Sequence, residues 1–417
     1  MNLILKEVPA EFAEKGFVRD LVWGVVRRLN TLDFIINGYS KTVELPVRNV
    51  IRLGIYQLLY EYSVPDYAAV NESVNLASRI KKPKAAGLIN AVLRGVIRDR
   101  EKLFDRINNA SLAKRVAVAE SHPEWLVSRW LKRWGEEGTI AACRANNLPP
   151  RLVIRVNAEA ISREGLQEVF INEKLSFELS RYSPDGINFL ANPQIEKLES
   201  YQSGLFVVQD EGSQLISMIM APQPGEKILD LCCGSGIKTS HMAQLGQNKA
   251  LITAVDTSSA RIENAKENFK RLQLENVTFI EHDAATLKSG IWDKVLVDAP
   301  CSGFGAISRK PDIKWNRTSQ DIAGKYPKQQ SRILANASKL VRIGGSVVYC
   351  TCTTEPEENE NVVESFLKKH ANFIQEEITL PGENAGELLS DDKKYFRTSL
   401  LKNNTDGFFA VKLKRVS

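Results

Sequence analysis

The chain has 417 residues, 43% of them hydrophobic and 25% charged, with six cysteines and 56 Lys/Arg against 50 Asp/Glu for a net charge of +6. This is the composition of a globular protein of two or three domains, and it excludes a largely disordered chain, a collagen-like repeat and a disulfide-stapled scaffold. No apolar run approaches the roughly 20 residues of a membrane span, the opening MNLILKEVPAEF lacks the basic start of an export signal, and the cysteines lack paired C-x-x-C spacing. A cytoplasmic protein with free thiols and no membrane partner is expected.

The first 125 residues read as helices. Ile89, Val92, Leu93, Val96 and Ile97 recur at helical spacing between Gly87 and Arg100; Val70, Val74, Ala77 and Ile80 form a second seam; and RNVIRLGIYQLLY (Arg48 to Tyr60) is apolar nearly all round. Pro46, Pro65 and Pro83 separate these segments. A small all-α domain over 1–125 follows. Residues 126–205 change character: RLVIRVNAEA alternates as a strand does, and SREGLQEVFINEK begins with a capping signal and continues as a helix. They are expected to form a small α+β module.

Over 206–417 the pattern is strand then helix, repeated. GEKILDLCCG, ALITAVDTS, VTFIEHDA, WDKVLVDAPC and GGSVVYCTCT each centre on a short apolar run, which predicts an α/β domain with a parallel, Rossmann-like sheet covered on both faces. Ligands of such sheets lie beyond the carboxyl ends of the strands. Charge is also uneven: residues 1–150 carry 23 basic and 16 acidic side chains, and residues 301–350 carry nine and two. Solvated faces account for most such imbalances; the functional alternative is a polyanion, nucleic acid above all.

After the first run come Cys232, Cys233, Gly234, Ser235, Gly236, Ile237 and Lys238, where glycines at a strand-to-helix turn let the backbone approach a ligand. The spacing fits neither a Walker P-loop, since Ile237 separates Gly236 from Lys238, nor a dinucleotide fingerprint, whose third Gly would fall at Thr239. Asp256, Asp283 and Asp298 end the next three runs. Any one could cap a helix, but together they suit a nucleoside-containing cofactor without phosphates, such as S-adenosylmethionine. Cys301 and Cys352 follow the fourth and fifth runs, where a thiolate favoured by nearby cations such as Lys238 or Arg309 would be a nucleophile. The four histidines show no ligand spacing with these cysteines, so no metal is expected. Cys143, Cys233 and Cys350 read as structural.

The motifs DAPCSG (Asp298 to Gly303), RKPDIKW (Arg309 to Trp315), YCTCT with PEEN (Pro356 to Asn359) and DGFFAVKL (Asp406 to Leu413) resemble those of the Sun-type RNA 5-cytosine methyltransferases. LGIYQLLY, PDYAAVNESVNLA and AAGLINAVLR look like the NusB-type helical domain that the family's ribosomal member carries. The resemblance implies transfer of a methyl group from S-adenosylmethionine to cytosine C5 in 16S ribosomal RNA, free or in a partly assembled small subunit; a monomer is expected. It makes Cys352 the nucleophile that adds to C6, Cys301 the group for product release and Asp298 the partner of cytosine N3. It places Cys232 to Lys238 around the methionine part of the cofactor, Asp256 on the ribose hydroxyls and Asp283 at the adenine edge, with Asp298 also beside the cofactor. Arg309, Lys310, Lys314 and Trp315 are expected to line the site's mouth and hold RNA, with Lys81, Lys82, Lys84, Arg94 and Arg98 as a candidate extension. One departure stands out. The family loop usually reads Cys-Ala-Ala-Pro-Gly-Gly-Lys, and a positive φ at the second Gly would strain Ile237 here. The alternatives are a non-catalytic ribosome-assembly factor and a methyltransferase of another RNA such as transfer RNA.

Overall fold

The computed structural model describes residues 15–288 and 290–417. It divides into two compact units, the first comprising its residues up to Leu148 with Lys310–Asn316, the second the remainder. The first unit is helical: α1 (Lys15–Arg27), α2 (Leu29–Tyr39), α3 (Leu45–Tyr60), α4 (Asp66–Arg79), α5 (Ala86–Arg98), α6 (Leu112–Ala119) and α7 (Glu124–Asn146), the last interrupted at Gly135. The predicted seams are its core: Ile89, Val92, Leu93 and Val96 share one buried cluster with Val50, Ile51, Ile55, Val70 and Ala77. Because α7 packs on α6, this unit ends after Leu148, beyond the expected boundary at 125/126, where Pro149 and Pro150 prevent the helix from continuing.

The second unit contains two sheets. In the first, β1 (Leu152–Val156), β2 (Phe177–Leu179), β3 (Gly186–Phe189) and β4 (Phe206–Val208) lie in the order β2-β3-β1-β4, all antiparallel. Helix α8 (Arg163–Asn172), whose Ser162 cap accepts a bond from Gly165 N, covers it with Leu166 and Phe170 against Ile154, Ile187, Phe189 and Phe206.

The larger sheet runs β10-β12-β9-β8-β5-β6-β7, with β11 beside β12. Its strands are β5 (Lys227–Asp230), β6 (Leu251–Asp256), β7 (Val277–Glu281), β8 (Trp292–Asp298), β9 (Val341–Thr351), β10 (Phe373–Glu376), β11 (Tyr395–Arg397) and β12 (Phe409–Arg415). The five predicted runs are β5 to β9 and are parallel. Alternate residues point to opposite faces: Ile228, Ile252, Leu296 and Val348 join one core with Leu215 and Ile219 of α9 (Glu211–Met220), while Leu229, Val295, Val347 and Tyr349 join another with Ile333 and Leu334 of α12 (Tyr326–Leu340). The DGFFAVKL run supplies β12, which enters antiparallel between β9 and β10 and makes the sheet mixed.

Candidate active site

From the end of β5 the chain turns through residues 231–236 into α10 (Ile237–Leu245). Cys233 N donates to Val255 O and Gly236 N to Cys233 O, each at 2.9 Å, tying the loop to β6 and to itself. Gly234 and Gly236 have φ of +56° and +73°, the left-handed region that glycine enters without a Cβ penalty. A Cβ on Gly236 would stand 2.9 Å from Ala265 Cβ, whereas one on Gly234 would meet nothing within 4 Å. Packing therefore requires Gly236, while the backbone at Gly234, beside the exposed Ser235, faces open space. The strain expected at Ile237 is absent: the positive φ falls one residue earlier, and Ile237 opens α10.

The three acidic strand ends differ. Asp256 is 5% exposed; one oxygen accepts from Gly234 N at 2.9 Å and the other from Ser258 N at 2.9 Å, with Arg261 at 3.2 Å. A carboxylate offers about four acceptor positions, so this one can hold the loop and still take a hydroxyl. Asp283 is exposed and closes a turn by accepting from Ala285 N at 2.9 Å. Asp298 accepts from Lys238 Nζ at 2.7 Å through one oxygen and from Cys350 Sγ at 3.4 Å through the other. Burial alone would lower the Lys238 pKa, but the attraction of Asp298 raises it above the ordinary lysine value, so this is a charged pair. A fourth acid, Asp230, is fully buried, and burial pushes its pKa up to about 7 against the opposing bond from the Thr239 hydroxyl at 2.7 Å.

Cys301 and Cys352 meet. Their Sγ atoms lie 3.3 Å apart across the ends of β8 and β9, both half-buried, with Asp298 three residues before Cys301. The expectation that cations lower the Cys301 pKa fails: its hydrogen bond with Cys352, then burial, pushes that thiol well above the ordinary cysteine value. Arg309 is engaged elsewhere, its fork donating to Asp406 and Asp210 at 2.7 Å each and to Arg151 O at 3.0 Å. Cys143 and Cys350 are fully buried and Cys233 nearly so.

Within the expected RNA-holding group, Lys314 is corrected. Arg309 spends three of its five N–H donors on Asp406, Asp210 and Arg151 O. Lys310, Lys314 and Trp315 belong to the helical unit. Lys310 is exposed, but Lys314 has no exposed surface and donates to Arg27 O and Ser121 O at 2.7 Å and to Asn147 Oδ1 at 3.1 Å. Trp315 Nε1 donates to Val26 O at 2.7 Å. A lysine shut away from solvent with all three donors taken has nothing to offer a phosphate. In the candidate extension, Lys82 pairs with Glu44, Arg98 with Asp99 and Arg94 with Asn90 Oδ1, while Lys81 and Lys84 are exposed.

Two participants were not anticipated. The ring of Phe408 lies 5.2 Å under Lys238 Nζ. Arg155, a fully buried charge on β1, donates to Gln209, to Ile237 O at 3.1 Å and to Ser240 Oγ at 3.0 Å, gripping the first turn of α10. The one charge inside the apolar run LVIRV was the available signal.

Residues 217–414 match the family described as 16S rRNA methyltransferase RsmB/F, residues 3–98 the NusB family, and residues 122–196 the ferredoxin-like domain of RsmF/B-like methyltransferases. The probable ribosomal RNA small subunit methyltransferase B of Bacillus subtilis is 32% identical over 99% of this chain and 94% of its own length. The chain belongs to the ribosomal RNA small subunit methyltransferase B family. Another methyltransferase B, from Pseudomonas syringae pv. tomato, is 33% identical over 98% of this chain and 90% of its own. Among solved structures, NSun6 from Pyrococcus horikoshii with SFG superposes with a TM-score of 0.64 at 25% identity, over 72% of this chain and 99% of that one. The protein PH0851 matches in fold with a TM-score of 0.84 over 99% of this chain and 93% of its own, at 23% identity. Membership makes this methyltransferase B homologue an S-adenosylmethionine-dependent methyltransferase of small subunit ribosomal RNA.

Proposed function

We propose that the protein forms 5-methylcytosine in 16S ribosomal RNA through a covalent adduct between Cys352 and cytosine C6. The observation that carries this reading is the pair of thiols 3.3 Å apart at adjacent strand ends beside the Lys238–Asp298 ion pair. Cytosine C5 is a poor nucleophile, and addition of a thiolate at C6 converts the ring into an enamine whose C5 can attack an electrophile. Cys352 makes that addition, giving its proton to a base. Asp298 accepts a hydrogen bond from protonated N3 and so stabilises the adduct, with Lys238 holding the carboxylate in place. The open backbone at Gly234 and the spare acceptor capacity of Asp256 fit an S-adenosylmethionine held by Cys232 to Lys238, Asp256 and Asp283. When bound, that cofactor supplies the electrophilic methyl group. Cys301 then assists removal of the C5 proton, which restores the aromatic ring and expels Cys352.

The roles separate by mutation. Cys352→Ala should abolish both methylation and the covalent RNA adduct, while Cys301→Ala should let the adduct accumulate. Gel-shift under denaturing conditions reads both; residual methylation in Cys352→Ala, or normal release by Cys301→Ala, would overturn the assignment. Bisulfite mapping of ribosomal and transfer RNA from a deletion strain tests the substrate. Against the assembly-factor alternative, in which the altered loop no longer binds cofactor, stand the retained Cys301 and Cys352 and an Ile237 that opens α10 without strain.

A further inference from the structure

Beyond Cys352 lies a short acidic turn, Pro356–Glu358, followed by Asn359 at the cap of α13 (Glu360–Lys369). Glu358 and Asn359 are buried, and their side chains reach back to the chain neighbours of two different cysteines. Glu358 Oε2 accepts from Ser302 N at 2.8 Å, the residue after Cys301, and from Gln330 Nε2 at 3.0 Å; the same Gln330 nitrogen donates to Pro300 O at 3.0 Å, the residue before Cys301. Asn359 Oδ1 accepts from the Thr351 hydroxyl at 2.6 Å and its Nδ2 donates to Thr353 O at 3.0 Å, bracketing Cys352 in the same way. A further bond at 2.7 Å joins the Ser302 and Thr353 hydroxyls, so the two brackets are linked.

From this we infer that Glu358 and Asn359 are positioning residues that set the separation and mutual orientation of the Cys301 and Cys352 sulfurs. Neither needs to touch RNA. Asn359 holds both chain neighbours of Cys352, Glu358 holds Ser302 directly and Pro300 through Gln330, and adjacency in sequence fixes one bracket to the other. Glu358 Oε2 accepts from Ser302 N and from Gln330 Nε2, and through Gln330 its bracket reaches Pro300 O. Asn359 needs both an acceptor and a donor, which Asp lacks. The consequence for the reaction rests on the roles proposed above for the two cysteines; the effect on sulfur geometry does not.

The test reads geometry and chemistry separately. Purified full-length protein is treated with diamide, which takes up two electrons and two protons as the Cys301 and Cys352 thiols join in a disulfide; peptide mapping by mass spectrometry follows that bond over time. In Asn359→Asp and Glu358→Leu, the linkage should form at least about tenfold more slowly than in the unmodified protein, the factor corresponding to about 1.4 kcal/mol lost from alignment. Affinity for S-adenosylmethionine and its KM should stay within about twofold, while kcat falls by a factor of about ten or more. Thr351→Val removes one bond of the Asn359 bracket while conserving shape, and should show the same split if the other variants do not fold. Linkage at the unmodified rate in the folded variants would overturn the inference. Slowed linkage with unchanged methylation would retain the bracket and instead refute the cysteine roles.

Discussion

Replacing the two loop glycines by alanine, one at a time, tests the geometry of residues 231–236 with a built-in control. Both have positive φ, so each alanine pays about 1–2 kcal/mol for a left-handed conformation. At Gly234 nothing lies within 4 Å of the added Cβ and that is the whole effect; at Gly236 the Cβ meets Ala265 Cβ at 2.9 Å. Moving α11 (Ser259–Leu272), the helix that carries Ala265, to relieve the contact adds about 1–3 kcal/mol. Gly236→Ala should therefore lose about 2–5 kcal/mol in urea unfolding and Gly234→Ala about 1–2 kcal/mol. Titration calorimetry with S-adenosylmethionine should show the reverse emphasis. Gly234→Ala, whose methyl projects into open space beside the loop, should weaken binding while leaving the fold sound. Equal destabilisation by the two alanines would refute the packing argument, and unchanged affinity in Gly234→Ala would refute the loop's role in holding the cofactor.

Other expectations follow from the same site. Asp256→Ala orphans Gly234 N and Ser258 N and should raise the cofactor Kd at least about tenfold, with RNA affinity unchanged in a filter-binding assay; equal loss of both would contradict a cofactor-specific role. Asp230 has a folded-state pKa of about 7 against an ordinary 3.8, so the proton it holds stabilises the fold fully below pH 4, and that contribution is lost as pH rises through 7. Asp230→Asn should flatten unfolding free energy over that window by up to about 4 kcal/mol; parallel pH curves for the two proteins would dismiss the assignment. Lys314→Met should leave the slope of log K against log salt for RNA binding unchanged, where loss of a phosphate contact would lower it by about 1.

What could be read beforehand depended on whether the signal was local. The runs that became β5 to β9 are short, apolar and followed by chemistry-bearing residues, and each strand sits where its run predicted. Strand direction was not legible in the same way: Phe409, Ala410, Val411 and Leu413 of β12 are all buried, and nothing in such a run says that it enters antiparallel. Cys301 and Cys352 were singled out from their places at neighbouring strand ends, yet only the folded chain puts their sulfurs in contact. Lys314 misled because a basic residue shortly after a candidate nucleophile reads as a phosphate ligand, whereas it is buried in the helical unit with its donors on Arg27 O, Ser121 O and Asn147 Oδ1. Arg155 was missed because a charge in a strand reads as solvent-facing unless its distant partners, Gln209, Ile237 and Ser240, are known.

The lodging of Lys310–Asn316 in the helical unit has a consequence for how the chain is made. Three acceptors, Arg27 O, Ser121 O and Asn147 Oδ1, wait for an ammonium supplied much later in synthesis. At about 5–20 residues per second, the ribosome needs on the order of ten seconds or more to travel from Leu148 to Lys310. Until then the helices must persist with a gap where the lysine and its neighbouring tryptophan belong. The first unit to emerge is thus completed by a strap from the last third of the chain.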